Sequence, residues 1–436
     1  MVLVASPVAG QAQTLRDALV QTYQNNGTLQ AARANAIASS EEISQAVSNF
    51  RPSLTLQGQV ERTRIETDTS TVVGSPKSGQ VVIDQPIFRG GSNFAAYRKS
   101  KANVLASYAA LHQQEQAVIN DALTAYMDLV RDKTIVNLRR NNTKVLARQL
   151  DETEIRFGVG ETSKTDVAQA KSRLALAESG KVEAVGDLEV TKAKYQQVIG
   201  PLPRKLREPR ALDHSDKTLQ QVLEVAVNQS PAVIKAKFLE ESSQGEIDEN
   251  FGKILPQVSL KGTATKAEDN FGFASAGNDS ETLSVMAQVS VPFYQGGAQA
   301  SRIRQAKKTA SQRRVEVEQT KREVREQATQ AWQAYKTDVA LIDSLTLQVK
   351  AAQIALEGVR IEQKEGVRTT LDVLDAEQEL LQARSDLISA RRDLVLSSYG
   401  ILAAMGKLTA KDLKLNVDLF DTQSVFNETK GQWWGF

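Results

Sequence analysis

Hydrophobic and polar positions follow two different periods along this chain, and the switch from one to the other happens twice. Leu283, Val285, Ala287, Val289 and Val291 occupy alternate positions with Ser284, Gln288 and Ser290 between them, which predicts a strand with one apolar face. "SLTLQGQV" from Ser53, "QVVIDQPIF" from Gln80 and "QVSLKGTAT" from Gln257 predict three more strands. Beyond Gly90 and Gly91 the period lengthens. Val104, Tyr108, Leu111, Val118, Ala122 and Leu129 recur at steps of three and four, with Glu115 the one break, which is a heptad seam. Neither Pro nor Gly interrupts Ala95–Arg156, so a single helix of roughly 90 Å is predicted at 1.5 Å per residue. After Gly296 and Gly297 the pattern returns from Ala298 to about Lys364, roughly 100 Å of helix. A tight turn and a returning helix, ending at Gly200 or Gly406, complete a long coiled-coil hairpin in each case.

The chain is two copies of one unit. "TLRDAL" at Thr14 matches "TLQQVL" at Thr218, and "FRPSL" at Phe50 matches "ILPQV" at Ile254, both at an offset of 204. "QPIFRGG" at Gln85 matches "VPFYQGG" at Val291, "TDV" at Thr165 matches "LDV" at Leu371, and Ile199-Gly200 matches Met405-Gly406, all at 206. Ordered anchors with one small insertion define copies at 14–200 and 218–406. Each copy opens with a helix, Thr14 to about Asn49 or Thr218 to about Phe251. A strand pair follows, at about 53–88 or 257–293, and then the hairpin, at about 95–200 or 298–406. The polar, Gly- and Ser-rich stretches "ERTRIETDTSTVVGSPKSG" and "KAEDNFGFASAGNDSE" are expected to be exposed loops between the strands. A linker at 201–217 joins the copies, and a segment at 407–436 closes the chain.

Composition narrows the function. Lys+Arg number 54 against 52 Asp+Glu, which gives no electrostatic reason to expect nucleic acid as a partner. Without cysteine there are no disulfides, thiolate metal sites, cysteine nucleophiles or N-terminal lipid-bearing cysteine. "MVLVASPVAGQAQ" has the form of a secretory signal remnant ending in the small-x-small site Gly10-Gln11-Ala12; an unstructured N-terminus at 1–13 is the other reading. No uninterrupted run of 18 apolar residues exists, so no spanning helix is expected and membrane entry would fall to the strands. Four strands cannot close a barrel, and an open edge in lipid leaves backbone groups unsatisfied. An oligomer would pool its strands, eight from a dimer or twelve from a trimer. A small soluble sheet capping the coiled coil satisfies the same pattern.

The chemistry-bearing residues are few. Asp372 and Asp375 lie one helical turn apart at the start of a returning helix. Thr369-x-x-Asp372 and Ser163-x-x-Asp166 both have the form of a capping box, which accounts for Asp372 and Asp166 but not for Asp375. The first copy has Gln169 where the second has Asp375. His112 and His214 are expected at the surface or in the linker, and there is no serine elbow, HExxH or Walker lysine, so an enzyme is not expected. The glycine pairs at Gly90 and Gly296 lack the GxGxxG frame of a phosphate site. In a trimer, aspartates facing the axis become rings that favour cations and can bind di- or trivalent ones.

The two-copy plan, the "QPIFRGG" and "VPFYQGG" junctions, and "VGETSKTDV" with "GVRTTLDVLDA" at the hairpin turns together resemble the TolC family, from Thr14 to about Gly406. That resemblance implies a mainly α protein with β. It would be a homotrimeric channel-tunnel with a shared twelve-stranded barrel in outer-membrane lipid, continuous with a helical barrel in the periplasm of a Gram-negative bacterium. Residues 201–217 and the tail resemble the family's mixed equatorial belt. The implied function is a passive exit duct of a tripartite efflux pump or type I secretion system. Its implied partners are a periplasmic adaptor and an inner-membrane transporter of the RND or ABC type, with no cofactor. Asp372 and Asp375 match the entrance aspartates, where an inhibitory cation could bind. Arg368, Thr165 and Asp166 match the network holding the tip closed, with an Arg368–Asp166 contact at its centre. Gln363 stands where that network has a tyrosine. Gly160, Glu161, Gly366 and Val367 fall at the turns that meet the adaptor. The competing reading is a periplasmic coiled-coil scaffold that never enters lipid. Trp433 and Trp434 have no assigned role.

Overall fold

The computed structural model describes residues 13–268 and 279–431. Gly10-Gln11-Ala12, the Trp433-Trp434 tail and the centre of the second interstrand loop lie outside them.

The helices come in matched lengths. α1 (Leu15–Asn25) and α5 (Leu219–Gln229) have 11 residues each, and α2 (Gly27–Ser48) and α6 (Pro231–Gly252) have 22. α3 (Ser92–Gly158) and α7 (Ala298–Lys364) have 67, and α4 (Lys164–Val198) and α8 (Thr370–Ala404) have 35. α9 (Thr422–Gly431) has no counterpart. The opening helix of each copy, expected to be continuous, is broken once. In the first copy Asn26 leaves the helical conformation at the end of one helix, and its side chain starts the next, Oδ1 accepting from the Thr28 and Leu29 amides. In the second, Pro231 cannot donate to the preceding turn and takes the first position of α6. Capping boxes start α1, α4, α5 and α8, at Thr14/Asp17, Ser163/Asp166, Thr218/Gln221 and Thr369/Asp372.

The chain divides into two compact units, and each draws on both copies. One contains residues up to Arg33, Ala110–Val233 and Thr320–Phe420; the other contains Ala34–Ala109, Ile234–Gln319 and the residues from Asp421.

The second unit holds the sheet. β1 (Ser53–Val60), β4 (Lys77–Arg89), β5 (Gln257–Glu268) and β6 (Ser280–Ser290) form one antiparallel sheet in the order β1-β4-β5-β6, so β4 and β5 join the two copies. Pro86 sits beyond the end of β1, whose pairing stops at Asp84, and coincides with a bulge against β5. The stretch after β1 is not a plain loop. Its Thr- and Val-rich halves pair as a hairpin of β2 (Thr63–Thr67) and β3 (Ser70–Gly74), because three β-prone residues on each side of a short turn, Thr63, Ile65 and Thr67 against Thr71, Val72 and Val73, are enough to pair even in polar company.

In the first unit, Val222, Ala226, Val233, Val324, Ala328, Trp332, Ile401 and Met405 form one core cluster across α5, α6, α7 and α8. Every expected seam residue is buried: Leu111, Val118, Ala122 and Leu129 here, and Val104 and Tyr108 in the second unit. Glu115 is buried as well, because its carboxylate accepts the Ala410 amide at 2.8 Å. The linker is pinned to the chain start, with Gln13 bridging Leu206 and the Tyr126 hydroxyl within 2.8 Å of the Gln13 and Arg207 carbonyls. α7 departs from expectation. One of its 18-residue stretches is apolar enough, by length and composition, to cross a membrane, although only 11% of it is buried. An uninterrupted apolar run is a stricter test than a window that tolerates two charges.

His214 is not a surface residue. It is 3% exposed in the linker, edge-on to Tyr335, with Nε2 2.8 Å from the Ser398 carbonyl and Nδ1 3.1 Å from Lys217 Nζ. A carbonyl only accepts and an ammonium only donates, so the ring is neutral with its proton on Nε2. Burial holds its pKa below the usual histidine value, assisted by Lys217 and opposed by the Ser398 bond, Asp216 and Asp213. A histidine with a lowered folded-state pKa contributes stability that is complete above its unfolded pKa of about 6.5 and is lost as pH falls below it. The melting temperature should therefore drop between pH 7.5 and 5.5, and His214→Gln should flatten that dependence in a calorimetric titration. An equally steep profile in the variant would remove His214 from the account.

Candidate functional site

Two features of this fold can act on other molecules, a bare sheet and a pair of hairpin tips. In the sheet, register sorts side chains by face. Leu54, Ile83, Gly262 and Val285 form one cross-strand row, and Leu56, Val81, Ala264 and Leu283 form the next row on that face. On the opposite face lie Thr55, Val82, Thr263 and Ser284, then Gln57, Gln80, Thr265 and Thr282. β1 and β6 are exposed along their whole lengths, with Leu56 79% and Leu283 83% accessible. The sheet is thus a single layer, apolar on one side, polar on the other and unpaired at both edges. Lys266 and Glu281, paired at 3.6 Å, close the apolar face at one end of the strands. At the other end Phe88, Phe293 and Tyr294 are exposed. An apolar face with exposed aromatics near one end has the composition of a band that meets lipid.

At the tips, each long helix turns through a left-handed glycine, Gly160 at φ 82° and Gly366 at φ 79°. The Glu161 amide returns to the Arg156 carbonyl and the Val367 amide to the Glu362 carbonyl, both at 2.9 Å. Glu161 is also paired with Arg156 at 3.2 Å, and Val367 is exposed. Ser163 and Thr369 then start the returning helices. Asp166 is engaged by the Ser163 amide and hydroxyl, and Asp372 by those of Thr369. The Thr369 bonds, with Arg368 next, hold the Asp372 carboxyl below the usual aspartate range. Arg368 pairs with Glu362 at 2.9 Å and stands 4.0 Å from Asp372; this chain does not bring it to Asp166. Thr165 is exposed, and Gln363 is buried.

Asp375 has a partner the sequence reading missed. Its Oδ1 accepts from Arg173 Nη2 at 2.6 Å, across from α8 to α4. The signal was present, since Arg173 follows Gln169 by one turn on the face that carries Asp166. Beside the pair, Leu374 packs with Leu146 and Ala177. Farther along, Arg392 of α8 binds Asp128 at 2.8 Å and Asp393 at 2.7 Å, while Arg131 binds Asp128 and Asp132. Among the described residues no cluster of His, Cys, Asp or Glu could hold a metal ion.

A profile of the outer membrane efflux protein family matches residues 18–200 and 222–407, which are the two copies. The chain belongs to the outer membrane efflux protein family. It is 30% identical to the outer membrane efflux protein BepC of Brucella suis over all of this chain and 95% of that one. To the outer membrane protein TolC of Escherichia coli strain K12 it is 23% identical, over 92% of this chain and 84% of the relative. Its fold is shared with the Campylobacter jejuni CmeC outer membrane channel, at a TM-score of 0.81, 16% identity, and coverage of 96% and 89% of the two chains. An outer membrane efflux protein is a transport protein of the outer membrane, so the scaffold reading falls. The family is one of channels and not of enzymes, in keeping with the sequence reading.

Proposed function

We propose that three copies of the chain make one exit duct, with their sheets closed into a barrel of twelve strands, three times the four in each chain. The observation that carries this reading is the sheet, single-layered, apolar on one face and open at both edges. In water that face and those edges would drive aggregation; in lipid an open edge is prohibited. Ring closure satisfies both constraints, with β6 of one copy pairing with β1 of the next as β4 pairs with β5 within a chain. Eight strands would leave an interior filled by side chains, whereas twelve leave a water-filled lumen for the Thr, Ser and Gln face.

The tips are the periplasmic gate in this reading. Asp372 and Asp375 form entrance rings that favour cations and accept an inhibitory multivalent one. Arg368, Thr165 and Asp166 belong to the closing network, with Arg368 reaching Asp166 of a neighbouring copy; Gln363 stands at the network's tyrosine position, so one closing hydrogen bond is absent or altered. Gly160, Glu161, Gly366 and Val367 meet the adaptor, which links the duct to an inner-membrane RND or ABC-type transporter for efflux or type I secretion. The duct supplies no energy and no chemistry of its own.

The test is single-channel conductance of the purified protein in planar bilayers, with and without millimolar trivalent cation. The wild type should form stable pores that the cation blocks, and Asp372→Ala with Asp375→Ala should conduct without block. Unchanged block in the double variant would move the constriction elsewhere. A folded protein that forms no pores either as wild type or as Arg368→Ser, which loosens the gate in this reading, would remove the duct.

A further inference from the structure

We infer that Arg173 sets the ion selectivity of this entrance by cancelling the Asp375 charge, so that the constriction is less anionic than its two aspartates imply. The inference rests on the proposal that Asp375 lines the entrance. It starts from an ion pair between the two copies, Arg173 Nη2 to Asp375 Oδ1 at 2.6 Å, with side chains 32% and 56% exposed. Packing on both sides fixes the pair. Leu374 precedes Asp375 and is buried against Ala177, which follows Arg173 by one turn of α4, and against Leu146 of α3. The neighbouring charges are committed elsewhere, Arg360 to Glu377, Lys171 to Glu154 at 2.8 Å and Arg368 to Glu362 at 2.9 Å. Arg173 is therefore the cation placed on Asp375.

As an exposed ion pair it contributes little to holding the helices together, so it is a weak clasp. Its effect on a passing ion does not depend on that strength. Arginine stays charged at any working pH, and an ion in the constriction responds to the summed charge within a Debye length of roughly 8–10 Å. A ring of Asp375 carboxylates, each carrying a guanidinium, presents no net charge. Asp372 then supplies the anionic field; among the described residues the cation beside it is Arg368 at 4.0 Å, shared with Glu362.

Reversal potentials under a salt gradient test this, read with the concentration of trivalent cation that halves the current. Arg173→Gln removes the charge and leaves a shorter, neutral polar side chain. It should raise the cation-to-anion permeability ratio by about threefold and lower the blocking concentration by on the order of tenfold. Arg173→Lys should return both values toward wild type. Asp375→Asn, measured in parallel, should lower the permeability ratio and weaken block. If Asp375→Asn shifts selectivity while Arg173→Gln matches wild type, the role of Arg173 is overturned and the entrance reading survives. If neither shifts it, the entrance reading fails and takes this inference with it. Circular dichroism and elution volume identify a variant that has failed to fold. In that case Arg173→Met is measured instead, and wild-type selectivity there overturns the inference equally.

Discussion

Arginine at both Leu283 and Val285 is expected to abolish membrane insertion. Both side chains lie on the apolar face of β6, 83% and 74% accessible in the chain, in rows that run across all four strands. On the lipid side of a barrel each arginine near the midplane costs roughly 2–4 kcal/mol, so the pair removes a large share of the stability a domain of ordinary size possesses. Ser284, between them, faces the other way beside Thr263, with the two hydroxyl oxygens 2.5 Å apart. Ser284→Arg should therefore insert normally and alter only conductance. Flotation of refolded protein with lipid vesicles makes the comparison directly. If the double variant floated as wild type does, the apolar face would not be the surface that meets lipid, and the barrel would have to be abandoned.

The next largest effect is expected at Gly90, where strand β4 turns into α3. Its φ is +59°, and an added Cβ would lie 2.1 Å from the Gly252 carbonyl oxygen and 2.7 Å from Leu255 Cβ. Gly252 is equally committed, with its own Cβ position 2.6 Å from the Ser92 amide nitrogen. Two backbones meet here with no room for a side chain, and neither can retreat without moving a helix. Gly90→Ala combines left-handed strain with a backbone clash and should cost about 3 kcal/mol or more. Gly296 is the same position in the second copy, with φ +58°, yet nothing lies within 4 Å of its Cβ position. Gly296→Ala should carry only the strain, on the order of 1 kcal/mol. If a neighbouring copy completes the joint as Gly252 does at Gly90, the substitution should weaken the assembled oligomer more than the fold. Thermal unfolding by circular dichroism, read beside oligomer size in detergent, separates the two effects. A wild-type melting curve for Gly90→Ala would show that the joint yields and that the close approach is not a constraint.

What could be read without coordinates was whatever repeats or acts over short range. The two copies, the matched hairpins, the seam from Val104 to Leu129 and the caps at Ser163/Asp166 and Thr369/Asp372 depend on spacing within a few turns, and spacing is written in the chain. The break at Asn26 and the Ser230-Pro231 break were local signals too, but the apolar pattern running past them concealed the stop. Tertiary structure alone decided the rest. His214 is buried because α7 and α8 supply Tyr335 and the Ser398 carbonyl, neither of them near it in sequence. Asp375 is paired because Arg173, 202 residues away, lies on α4 where it faces α8. The charge at the tip is therefore a property of how the copies pack, since a carboxylate's partner is chosen by proximity in space and periodicity carries no record of it.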